Sequence, residues 1–78
     1  MAKVKFSKGS EEWVLFMDFW QICQDYFIPE DNDTYWENLI EVISVFTEKY
    51  KNTKNYDFAK RVSIAFIESR EKVLNEQK

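Results

Sequence analysis

The chain of 78 residues has no histidine, and a single cysteine, glycine and proline. Each scarcity excludes something. Without histidine there is no Ser-His-Asp triad and no imidazole-bound metal. Cys23 has no partner for a disulfide within the chain. Gly9 alone cannot build a glycine-rich phosphate loop. The longest apolar run, Trp13 to Met17, falls far short of the roughly 20 residues that a membrane span needs. The start, Met-Ala-Lys-Val-Lys-Phe, lacks the apolar stretch of a signal peptide, so a cytosolic setting is expected. The most telling lack is of one sign of charge: residues 9–48 contain no Lys or Arg.

That same segment carries ten acids, whereas residues 1–8 hold three lysines and residues 49–78 hold eight basic residues against four acids. The formal net charge of −3 therefore conceals an acidic block between two basic ends. A chain this short makes one small domain, burying about 60% of its unfolded surface.

Helical punctuation is clear. Ser10 is a good N-cap, Glu11 and Glu12 follow in the first turn, and Pro29 disfavours helix at Ile28. A helix over about 11–27 follows. It has two apolar rows, at 13, 16, 17, 20, 23 and 27 and at 15, 19, 22 and 26, an arc wide enough to be covered on more than one side. After the turn Pro29-Glu30-Asp31-Asn32-Asp33, Thr34-Tyr35-Trp36-Glu37 matches a capping box, with Asp33 as competing cap. The second helix is expected over about 35–50, its apolar positions at 36, 39, 40, 43, 46 and 50. Glu37, Glu41, Ser44 and Glu48 form a solvent-facing stripe. Asn55 is the expected cap of a third helix over about 56–74, with Phe58, Val62, Ala65, Phe66, Ser69 and Val73 as its core row. The fold class is all-α: a compact three-helix bundle with short polar connections and an extended N-terminal arm.

Catalytic chemistry finds little support. Nothing on an exposed stripe raises a carboxylate pKa toward neutrality. Asp31-Asn32-Asp33 lacks the glycine and the spacing of a calcium loop, so neither metal nor cofactor is expected. Cys23, within an apolar helical surface and far from any base, reads as a small buried hydrophobe.

Two features remain, and the first is the acidic block. It can pair with the chain's own basic third helix, engage a basic protein groove normally filled by nucleic acid, or direct self-association. Direct nucleic-acid binding is disfavoured, since the first two helices repel phosphate. The second feature is aromatic: Trp13, Phe16, Phe19, Trp20, Tyr26 and Phe27 crowd the first helix. One of its rows is a candidate partner site or homodimer interface.

Glu11-Glu12-Trp13, the turn Phe27-Ile28-Pro29-Glu30, Tyr35-Trp36, Phe58-Ala59 and Ala65-Phe66 give the chain a resemblance over most of its length. It resembles the small uncharacterised helical proteins of phages, prophages and mobile elements of Gram-positive bacteria. In its shortness and acidity it is similar to the anti-CRISPR proteins among them. The resemblance implies a non-enzymatic inhibitor that occupies the basic groove of a host defence nuclease. From the residues themselves, Glu30, Asp31, Asp33, Glu37, Glu41 and Glu48 are the expected contacts with a nucleic-acid-binding host protein. Tyr35 is a possible anchor, while Trp36 reads rather as core. The alternative is a homodimeric assembly protein built on the aromatic face of the first helix.

Overall fold

A computed structural model describes residues 2–77 as three helices: α1 (Glu11–Tyr26), α2 (Asp33–Lys49) and α3 (Tyr56–Glu76). Residues 2–7 lead in without regular secondary structure, and Phe6 of this arm stacks on Phe16 of α1 at 5.6 Å. The all-α three-helix expectation holds.

The helix ends follow from local chemistry. Gly9, at φ +87°, makes the left-handed step into α1, and the Ser10 amide donates back to Ser7 at 3.0 Å. The Ser10 hydroxyl then accepts from the Trp13 amide at 3.3 Å. Helix α1 stops at Tyr26, three residues before Pro29. At α2 the cap differs from the expected Thr34 box or Asp33. The Asn32 side chain accepts from the Tyr35 amide at 2.8 Å, so α2 begins at Asp33. Asn55 precedes α3 as expected, but its side chain caps nothing there. Its amide instead donates to Glu11 and Glu12, at 2.6 and 2.8 Å, and ties the start of α3 to the first turn of α1.

The core gathers around α2, which packs against both other helices. Its Tyr35, Leu39, Ile43 and Phe46, with Tyr50 just beyond, meet Leu15 and Ile22 of α1 and Ala59 and Phe66 of α3. The buried row of α1 is thus the 15, 19, 22, 26 set. Helix α3 is turned from its expected face: Ala59, Ser63, Phe66 and Arg70 are buried, whereas Phe58, Ala65 and Ser69 are exposed. Small Ala59 and Ser63 permit close approach to α2, and the Ser63 hydroxyl donates to the Ala59 carbonyl at 2.8 Å. Helices α1 and α3 meet through rings, Phe16 with Phe58 at 5.7 Å and Phe19 with Phe66 at 6.1 Å.

Arg70 is 8% exposed and faces no carboxylate in any ion pair among the described residues. Its guanidinium donates to the Phe27 carbonyl at the end of α1 and to the Ser69 hydroxyl, and lies 4.3 Å over the Phe27 ring. Helix α1 has no basic residue in its own last turn, so Arg70 supplies the positive charge that its C-terminus favours.

Candidate functional site: an acidic face

Helix α2 builds the site. Its buried row 35, 39, 43 and 46 faces the core, and positions 33, 37, 41, 44 and 48 recur at spacings of three and four on the opposite side. Asp33, Glu37, Glu41 and Glu48 are all exposed there, and Glu30 and Asp31 are exposed in the turn that precedes α2. Six of the seven expected contact residues therefore lie on the surface, along one turn and one helix face.

Tyr35 does not join them. It is 5% exposed, its hydroxyl donates to the Tyr26 carbonyl at 2.6 Å, and burial pushes its phenol pKa up. An anchor role needs an accessible ring, so Tyr35 is a core residue that closes the α1–α2 turn. Trp36 is half-buried and packs edge-on to Tyr35 at 4.7 Å.

Ion pairs decide how much of the acidic block the chain neutralises. Asp18 accepts from Lys49 at 2.8 Å, Glu48 lies 3.7 Å from Lys51, and Glu12 lies 3.9 Å from Lys54. All three cations follow the end of α2 or close it; none belongs to α3. Within α3, Arg61 pairs with its own Asp57 at 2.8 Å, Lys60 sits over the Tyr56 ring at 4.8 Å, and Arg70 is turned inward. Among the described residues, none of Glu11, Glu12, Asp18, Asp25 and Glu48 forms an ion pair with a base of α3, and Glu30, Asp33, Glu37 and Glu41 form no ion pair.

The paired end shows what neutralisation does. The Asn55 amide holds the Glu12 carboxyl below its usual pKa, with Lys54 adding to the effect. The Tyr50 hydroxyl donates to Asp18 at 3.0 Å, and burial together with that acceptor holds its phenol protonated well above the usual range. Cys23 is half-buried between α1 and α3, and desolvation pushes its thiol pKa up, away from nucleophile chemistry.

No known protein family, curated protein or solved structure matches the chain. Among the described residues no group of three or more His, Cys, Asp or Glu is placed to hold a metal ion, and no helix is long and apolar enough to cross a membrane. A cleft of about 520 Å³ lies under the N-terminal arm, lined by Phe6, Phe16, Phe58, Glu12 and Lys54 among others. Its carboxylate is already engaged by Asn55 and Lys54, leaving no evident acid–base pair.

Sequence reasoning missed Arg70 as a structural group, because a base near the end of a helix reads as solvated. Its signal was position: four residues beyond Phe66, on the buried side.

Proposed function

We propose that this protein acts without catalysis, by laying the acidic face of the α1–α2 turn and α2 against a basic protein surface that otherwise holds nucleic acid. The observation behind this is the set of exposed carboxylates, Glu30, Asp33, Glu37 and Glu41, that form no ion pair with any base among the described residues. Asp33, Glu37 and Glu41 repeat every four residues, about 6 Å apart along the axis. Such like-charge neighbours cost a helix about 0.2–0.5 kcal/mol each. A row of arginines and lysines would relieve that repulsion and add charge-assisted hydrogen bonds. The resemblance to phage-encoded helical proteins directs the proposal to one target class, a CRISPR nuclease of a Gram-positive host.

The test is DNA cleavage by such a nuclease loaded with guide RNA, in the presence of the purified protein. The expected result is inhibition that weakens steeply as salt is raised. The triple variant Asp33→Lys, Glu37→Lys, Glu41→Lys should inhibit at least about a hundredfold less well while keeping its helical circular dichroism. Undiminished inhibition by the triple variant sinks the acidic face as the contact. Failure of the wild type to bind or inhibit such nucleases sinks the target class.

A further inference from the structure

The row of α1 that the core does not use is exposed: Trp13, Phe16, Met17, Trp20 and Phe27 are 38–62% accessible, and Phe58 of α3, touching Phe16, continues it at 42%. With about 200 Å² for each large side chain, half of it open, this face offers about 600 Å² per molecule. That matches the largest apolar patch a monomer usually shows. Two such faces joined bury about 1,200 Å², the lower bound of a stable protein interface.

We infer that the occupant of this face is a second copy of the same chain, packed across a two-fold axis with α1 against α1. Three observations select a copy. First, the face is free of charge: between Glu12 and Asp25 the one charged residue is Asp18, which is tied to Lys49 and Tyr50. Charge depletion with Trp, Phe and Met at the centre is the composition of interface cores. Second, the acids that would repel another copy stand elsewhere, on the outward side of α2. Third, α3 bears exposed Arg61, Glu68 and Lys72 beside its Phe58–Ala65–Ser69 edge, a rim of alternating sign that a two-fold axis can pair with itself. The inference is independent of the proposal for the acidic face, since the two surfaces share no residue.

Sedimentation equilibrium of the full chain at micromolar concentration tests it. The expected mass is twice 9.5 kDa, and the dimer should persist when salt is raised. The double variant Met17→Glu, Trp20→Glu should weaken dimerisation about a hundredfold or more, because each substitution occurs twice in the interface. Trp20→Ala repeats the test without added charge, should the double variant lose its helical signal. The control Ile40→Glu, Val45→Glu, with the same charges on exposed sites of α2, should remain dimeric. A monomeric wild type, a dimer that dissolves in salt, a folded Met17/Trp20 variant that still dimerises or a monomeric folded control each overturns the inference.

Discussion

Replacing Arg70 isolates an interaction between α3 and the C-terminal end of α1. Arg70→Ala removes a charged hydrogen bond to the Phe27 carbonyl, about 1.5–3 kcal/mol. It also removes the guanidinium over the Phe27 and Phe66 rings, a contact of about 0.5–2 kcal/mol. Against these stands the cost of burying a cation whose Nε has no hydrogen-bond partner. The expected net loss is about 3 kcal/mol, which in a domain of this size lowers the melting temperature by about 12–24 °C. Arg70→Met keeps the aliphatic stem against both rings and drops the buried charge, so it should lose only about half as much. Thermal unfolding of the three proteins, followed by circular dichroism, reads the series. An Arg70→Met protein as stable as the wild type would refute the reasoning. The stem would then supply the stability, and the guanidinium would not act as a cap for α1.

Two further predictions concern single side chains. Asn32→Ala should cost about 1 kcal/mol in urea unfolding, while Thr34→Ala stays within about 0.5 kcal/mol, because Asn32 holds the α2 cap; the reverse order would place the cap at Thr34. Tyr35 and Tyr50 both have phenols pushed above their ordinary pKa by burial, so the fold favours the neutral form. Their stabilisation is complete below the unfolded value near 10 and falls as pH rises through the folded values. Stability should therefore drop above about pH 10, and less steeply in Tyr50→Phe, as read by urea unfolding across the alkaline range. An equal slope in that variant would exclude Tyr50 as a contributor.

The boundaries of α1 were the most legible part of the sequence, because Ser10 and Pro29 act locally. So was the core row of α2, whose Leu39, Ile43 and Phe46 have acids opposite them. The orientation of α3 was not legible. Counting apolar side chains favours the face with Phe58 and Val62, but close packing on α2 favours the face with Ala59 and Ser63. A small residue contributes little to periodicity and much to interhelical distance. The start of α2 was ambiguous for a related reason: Asn32, Asp33 and Thr34 are all competent caps, and the selection rests on Tyr35 docking beneath Tyr26. That docking also removed Tyr35 from the surface. The exposed acids were readable as a stripe. The pairing of Asp18 and Glu12 was not, since their cations lie far away in sequence, at Lys49 and Lys54, whereas Glu48 pairs locally with Lys51.

The pairing pattern gives the molecule a direction. The start of α1, the end of α2 and the start of α3 share one end, joined by Lys49–Asp18, Lys54–Glu12 and the Asn55 amide on Glu11 and Glu12. Basic residues of the α2–α3 connection meet acids there. At the other end α1 stops, α2 begins and α3 approaches its finish. Of the α3 bases near this end, Arg70 is spent on the carbonyl of Phe27 and lies buried, and exposed Lys72 pairs with none of Glu30, Asp33, Glu37 and Glu41. Burying Arg70 and leaving the acids exposed are therefore two aspects of one arrangement. Four carboxylates thus face solvent near the end where Arg70 is sequestered, and, were the proposed basic partner present, this charge would speed its encounter by long-range attraction.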